Sequence, residues 1–380
     1  MIVNKNIGLY IHVPFCRKKC PYCDFYSINY GYKGNIETHY FDSVNQELLS
    51  YKKDLKKRKK VIDTIYIGGG TPSIVNLSNI KNILKTIRKN FKIKKPEITI
   101  EVNPKDCDEP EFKYLKKIGI NRLSFGMQSA NDSELYILGR KHSFLDLKSS
   151  IEMARQAEFK NISVDIMLGI PYQTINELDK TLNKINELDI QHVSAYLIKI
   201  EKDTVFNKQS VIDKLPSEDD QEKLYLHTVK VLDKMGFTQY EISNFSKIGY
   251  ESKHNKKYWD MQEYIGIGPT AHSYYNDQRY SMERNIYKYI NMKDKRNFIY
   301  QYQDKPGDIN EYLMIKLRTT IGININEMNQ IYPQILVNEI LYKIKKYCDS
   351  RCINIIDGYI RLTPQGFIIF NSILTNLMLD

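Results

Sequence analysis

Between residues 8 and 200 the chain alternates between two kinds of segment. Short apolar runs rich in β-branched residues, at 8–13, 63–67, 97–102, 122–126, 162–168 and 192–200, are separated by stretches at 37–55, 77–89, 111–117, 144–158 and 175–188 whose apolar residues recur every three or four positions. A strand, a crossover helix and a second strand bring the two strands side by side in parallel. Six such units predict an α/β fold built on a partial (β/α)6 barrel, in which the loops after the C-terminal strand ends carry the site. The 380 residues, 42% apolar and 27% charged, suffice for a large core and exclude disordered or fibrous classes.

After about residue 205 the alternation stops. Pro216-Ser217-Glu218-Asp219-Asp220 has the composition of a helix start, with a helix to about Met235 and a short strand at 240–242. Residues from Asn244 to about Tyr280 read as irregular and aromatic-rich. From about Asp308 a helical stretch leads to Tyr347. Residues 353–356, the turn Asp357-Gly358 and residues 359–362 then form a hairpin pattern ahead of a last helix from Pro364. Helices followed by a hairpin predict a small α+β winged-helix-like module. The expected division is a barrel core over 1–205, an extension of it over 206–300 and the C-terminal module over 301–380. No basic recognition face with base-reading residues stands out in that module, so it reads as structural or partner-docking.

Lys and Arg number 56 against 45 Asp and Glu, a net charge of +11. The densest basic run, 52–60, falls where a helix runs out into a loop before an apolar strand, which is the usual place of a solvated face. No nucleic-acid partner is expected on that basis. The opening apolar stretch is too short for a signal sequence, and no window approaches the ~18 apolar residues of a membrane span, which predicts a cytoplasmic location. Six cysteines in such a compartment do not make a disulfide scaffold.

Their spacing carries more. Cys16, Cys20 and Cys23 form C-x3-C-x2-C on the loop after the first strand, which ends at Pro14. Three thiolates on one short loop can hold three irons of a [4Fe-4S] cluster and leave the fourth open to a non-protein ligand. A zinc site is the competing reading. Structural zinc, however, takes a second nearby pair of ligands, and His12 lies inside the strand, where it makes a poor fourth. Cys107 is isolated, while Cys348 and Cys352, without His or Cys partners nearby, read as buried or incidental.

The triplet resembles the signature of the radical S-adenosylmethionine (SAM) superfamily. The text around it, Leu9-Tyr10-Ile11-His12-Val13-Pro14-Phe15-Cys16 through Cys20-Pro21-Tyr22-Cys23-Asp24-Phe25, is similar to the HemW family of heme chaperones, relatives of the oxygen-independent coproporphyrinogen III oxidase. The likeness runs over nearly the whole chain. It implies a [4Fe-4S] cluster on the three cysteines and SAM across the barrel mouth.

Further motifs close successive βα units. Gly68-Gly69-Gly70-Thr71-Pro72 follows an apolar strand, where glycines let a backbone approach a ligand; the resemblance sets Gly69, Gly70 and Thr71 against the methionine end of SAM. Glu101 ends the next strand, and a carboxylate in an apolar run is costly unless paired or liganded. Gln128, Arg140 and Asp165 complete the SAM contacts that the resemblance implies. Asp165 suits ribose hydroxyls, and Arg140 suits a carboxylate in a bidentate fork. Each of these residues could equally serve a buried hydrogen bond; together, on successive units, they favour one site. Tyr10 and Tyr22 flank the cluster loop, with Tyr10 implied against SAM and core packing as its alternative.

His254-Asn255-Lys256-Lys257-Tyr258-Trp259 matches the HNxxYW motif that the resemblance links to heme. An imidazole can ligate heme iron, and Tyr and Trp can wall a porphyrin; a histidine capping local backbone is the alternative, and His272 is a second candidate ligand. The oxidase relatives carry a further cysteine two positions after the triplet, and a longer N-terminal extension. Here Phe25 stands at that position and fifteen residues precede Cys16. The resemblance therefore implies a carrier of heme as cargo, with membrane respiratory apoproteins as recipients, a homodimer, and a cytoplasmic location with peripheral contact at the membrane. No catalytic residue is assigned. A coproporphyrinogen III oxidase of porphyrin biosynthesis and a nucleic-acid-modifying radical SAM enzyme are the alternatives.

Overall fold

The computed structural model describes residues 5–31, 35–296, 299–301 and 306–379. Residues 1–4, at the start of the segment read above for a signal sequence, and 302–305, beside the expected boundary at 300/301, lie outside that set. Six parallel strands form the centre: β1 (Asn6–Val13), β2 (Val61–Gly69), β3 (Ile93–Val102), β4 (Arg122–Gln128), β5 (Ile162–Leu168) and β6 (His192–Leu197). The helices between them are Ile36–Ser50, Leu77–Asn90, Glu109–Lys117, Phe144–Gln156 and Ile175–Asn186, each within a few residues of its sequence reading. The expected helix at 37–55 breaks at Tyr51 into two, and a short helix, Asp132–Ile137, was not legible in the sequence.

The segment expected to be irregular carries four short strands and the helix Lys253–Trp259. Beyond β7 (Thr238–Glu241), β8 (Asn244–Ser246) pairs antiparallel with β6, while β9 (Tyr264–Ile267) pairs parallel with β1 on the opposite side. β10 (His272–Tyr275), β11 (Gln278–Met282) and β12 (Ile299–Gln301) continue outward as a meander. The sheet thus runs β12-β11-β10-β9-β1-β2-β3-β4-β5-β6-β8-β7 and ends on two unjoined edges, so the barrel is partial. Strands of three to five residues with aromatic rather than aliphatic side chains carry too little periodicity to be read alone.

Strand alternation gives the sheet two unlike faces. Ile7, Leu9, Ile11, Ile65, Ile67, Ile98, Ile100, Leu123, Phe125, Val164, Ile166 and Val193 are buried in the core shared with the helices. The alternate positions are Tyr10 and His12, Thr64 and Tyr66, Glu97, Thr99 and Glu101, Arg122 and Ser124, Ser163 and Asp165, and His192 and Ser194. These polar side chains face the lumen.

In the C-terminal module the helical stretch from 308 is three helices, Ile309–Lys316, Ile325–Ile331 and Gln334–Tyr347. The hairpin of β14 (Ile353–Ile356) and β15 (Tyr359–Leu362) turns on Asp357 and Gly358, both at positive φ, and takes β13 (Ile323–Asn324) as a third strand. That is the element order of a winged helix. Among the described residues no helix is long and apolar enough to cross a membrane.

One buried carboxyl ties the added strands to the barrel. Glu47, on the first helix, accepts from Gly268 N at 2.9 Å and Tyr289 OH at 2.6 Å, with Lys295 nearby. Burial pushes it up from 4.5 to about 7, against those donors and Lys295. Between those values the folded chain keeps a proton that the unfolded chain has released. The contribution of Glu47 to stability therefore falls as pH rises from about 4.5 to 7 and levels off above that. Across this window Glu47→Gln should gain on the wild-type chain by on the order of 3 kcal/mol at most in urea unfolding; parallel stability–pH curves for the two proteins would contradict the assignment.

Candidate functional site

The first βα loop is held by backbone bonds on both sides. Gly70 N donates to Val13 O, Thr71 N to Phe15 O, Ile28 N to Pro14 O and Tyr30 N to Cys16 O, at 2.7–2.8 Å. A Cβ on Gly70 would stand 2.7 Å from the carbonyl oxygens of Val13 and Phe15, and Gly69 has φ +113 against the His12 ring. The glycine run is thus required by the chain's own packing as well as by any ligand.

Cys16, Cys20 and Cys23 are free thiols that line a cavity of about 680 Å³ at the C-terminal ends of the strands. The same cavity is lined by Tyr22, Gly69, Gly70, Thr71, Glu101, Gln128, Arg140 and Asp165, so eleven of the thirteen residues expected from the sequence share one space. Tyr10 does not line it; it packs on Tyr66, which does, at 6.2 Å between centroids, and hydrogen-bonds His12 at 3.0 Å. His254 does not line it either, although its neighbour Asn255 does.

Arg140 donates to Tyr22 OH at 2.6 and 3.1 Å and to Asn103 Oδ1 at 2.8 Å. Asn103 reaches Thr71 Oγ1 at 3.4 Å, and Thr71 reaches Cys16 Sγ at 3.5 Å, which links the guanidinium to the cysteine loop. Burial pushes the Cys16 thiol up, opposed by the Thr71 hydroxyl and the Arg140 charge. Gln128 sits at φ +66, where the register between β4 and β5 shifts, an uncommon conformation for a non-glycine residue and one often found at working sites.

Two carboxyls stand deeper. Glu101 accepts from Tyr66 OH and Gly69 N, each at 2.9 Å; burial, with Asp165 adding to it, pushes it up to about 7. Asp165 is likewise raised by burial and accepts from Ser124 at 3.3 Å. Tyr66, Asn103 and Arg122 also line the cavity and were missed in the sequence. Tyr66 and Arg122 could have been found there by extending the period-2 face that already contains Glu101 and Asp165.

The HNxxYW segment forms the helix Lys253–Trp259 under the N-terminal strand ends. His254 is buried; Nδ1 hydrogen-bonds Thr64 Oγ1 and Nε2 hydrogen-bonds Tyr258 OH, both at 2.9 Å, while its backbone N–H donates to Glu97 at 3.2 Å. Burial first, then the Lys257 and Arg122 charges, push the imidazole down to about 3. Both ring nitrogens are engaged within the protein. Trp259 packs beneath Arg318 at 5.7 Å, and Tyr258 meets Tyr264 edge-on at 4.6 Å. His272 is an exposed residue of β10.

The donor set suits a cluster better than a single ion. Among the described residues no three His, Cys, Asp or Glu side chains gather as one metal ion requires. Three thiols on one loop, at the rim of a cavity with room for a ligand on a fourth iron, fit the cluster.

A partial (β/α)6 barrel with this cysteine loop over a polar lumen defines a radical SAM protein. The Radical SAM superfamily profile matches residues 10–185, and the HemN C-terminal domain profile matches residues 304–369. The heme chaperone HemW of Bacillus subtilis (strain 168) is 32% identical over 373 residues, 96% of this chain and 97% of that one. That of Lactococcus lactis subsp. lactis is 30% identical over 100% and 99%. Coproporphyrinogen III oxidase (HemN) from Escherichia coli superposes with a TM-score of 0.82 over 98% of this chain and 90% of that chain; at 19% identity this shows a shared fold. The chain belongs to the HemW family.

Gly70→Ala should lower stability by about 1–3 kcal/mol, because the methyl group has backbone oxygens for neighbours and no flexible side chain that could yield. A melting temperature equal to that of the wild-type chain would show that the loop has slack that the contacts do not indicate.

Proposed function

We propose that this chain holds a [4Fe-4S] cluster on Cys16, Cys20 and Cys23, binds SAM in the adjoining cavity, and carries heme for delivery to membrane respiratory apoproteins. The observation that carries the heme reading is the whole-length likeness to proteins named heme chaperones. Phe25 adds to it. It lies two positions past Cys23, where the oxidase relatives carry a further cysteine, and it is 67% exposed at the cavity mouth. The fold is shared with the oxidase and so does not separate the two.

When bound on Cys16, Cys20 and Cys23, the cluster would supply one-electron reducing chemistry toward SAM. The chain's own residues bind and orient. Arg140, braced by Tyr22 and Asn103, presents its charge to a ligand carboxylate. Asp165 offers oxygens to ribose hydroxyls, Glu101 an acceptor to the ligand's cationic end, and Gly69 and Gly70 leave the cavity wall without side chains. His254 serves this reading as a pin between Thr64 and Tyr258 in the barrel floor, and HNxxYW supports heme binding through family likeness alone. A homodimer and a peripheral membrane position belong to the same proposal.

Reconstituted protein should carry one cluster, and Ala at Cys16, Cys20 or Cys23 should remove its iron and sulfide, while Ala at Cys107, Cys348 or Cys352 should not. Retention of iron in the first set with loss in the second would overturn the ligand assignment.

Hemin should bind with a shifted Soret band, and coproporphyrinogen III with SAM and a reductant should give no protoporphyrinogen. Turnover at an enzymatic rate would instead establish the oxidase. His254→Ala should lower stability by roughly 2–4 kcal/mol and leave the Soret position unchanged. A displaced Soret band in a folded variant would make His254 the ligand.

A further inference from the structure

Arg122 opens β4 and is 2% exposed, yet it lines the cavity. Its Nε has no hydrogen-bond partner, and among the described residues its guanidinium forms no ion pair and donates no hydrogen bond. A buried guanidinium stays charged, and leaving its donors unmade is expensive. Something must offset that cost.

The register shows what surrounds it. Arg122 pairs with Thr99, the lumen position between Glu97 and Glu101, and Ser124, the next lumen residue of β4, pairs with Glu101 and reaches Asp165. Among the lumen positions of the six central strands there are three carboxyls, Glu97, Glu101 and Asp165, and one fixed cation, Arg122. His192 and His254 are kept neutral mainly by burial. Arg140, another cation of the cavity lining, is engaged by Tyr22 and Asn103 and also acts on Asp165, while Arg17, Lys18, Lys19, Lys105, Lys141 and Lys199 line the same cavity from outside the strands.

We propose that Arg122 is a positioning residue: from one layer beneath Glu101 and Asp165 its charge favours the carboxylate form of each against the effect of burial, so that they can receive the cationic and hydroxyl groups of SAM. The consequence for SAM rests on the function proposed above; the effect on Glu101 does not. Glu101 faces Tyr66, Asp165, Tyr10, Tyr196 and Tyr258 besides Arg122. The tyrosines stay neutral in this range and Asp165 opposes ionisation, which leaves Arg122 as the charge that favours it. Its pull on both site carboxyls and on Glu97 is consistent with that placement.

The test follows the protonated-carboxyl stretch of Glu101 by difference infrared titration of the cluster-loaded protein without SAM, assigned by its loss in Glu101→Gln. Arg122→Gln should raise the Glu101 midpoint by about one pH unit, and Arg122→Lys should restore most of it. A shift of that size should weaken SAM binding ~5-fold at pH 7. If Arg122→Gln does not fold, Arg122→Gln with Glu97→Gln removes one charge of each sign, and the upward shift should persist. A wild-type midpoint in a folded Arg122→Gln protein, or in the double variant, overturns the proposal. A shifted midpoint in a protein whose wild-type form binds no SAM at any pH would overturn the SAM reading and leave the role of Arg122 standing.

Discussion

The structure depends on strands with two unlike faces. Each central strand turns aliphatic residues toward the helices and polar residues toward the barrel axis, and the first face supplies the burial that holds the fold together. Among the described residues the lumen positions of these strands then lack the apolar filling that packs an ordinary barrel. Polar groups there must find partners or face a cavity, because an unpaired buried one is destabilising. The chain does both. His192 hydrogen-bonds Ser163 and Tyr240 and His254 hydrogen-bonds Thr64 and Tyr258, while Glu101, Asp165 and Arg122 remain at the cavity.

The two ends of that lumen are closed differently. At the mouth, the cysteine loop is locked by backbone bonds to the glycine loop and by the bond from Phe206 N to Pro21 O at 3.1 Å. At the other end, the helix Lys253–Trp259 is tied by Lys257 to Asp63 at 2.8 Å and by its His254 amide to Glu97. Arg318, between the first two helices of the C-terminal module, lies over both Trp259 and Phe370. The winged-helix-like module therefore contacts the floor of the barrel, and the one tryptophan of the chain sits at that junction.

The site was legible where side chains are named by spacing. C-x3-C-x2-C, the triple glycine and the polar residues at strand ends could each be placed on a successive βα unit, and the structure gathers them around one cavity, with Gly68, Tyr10 and His254 outside its lining. Tyr10 and His254 lie apart for one reason. A tyrosine or histidine next to a motif has the same sequence whether its ring points into a site or into the protein. For Tyr10 the deciding contact is Tyr66, and for His254 it is Thr64, 190 positions away.

By itself the sequence determined the order of strands and helices, the parallel sheet that such an order requires, the loop that bears the cysteines and the final hairpin, because these rest on local periodicity and turn chemistry. Only the tertiary structure decided that the aromatic segment after Asn244 adds strands to both sides of the sheet, that β9 lies parallel to β1, and that the HNxxYW helix closes the floor. It alone also set Arg122 among three carboxyls, its Nε without a hydrogen bond among the described residues. Pairing between short distant strands and the partners of buried charges are set by long-range contacts, which leave no period in the chain to read.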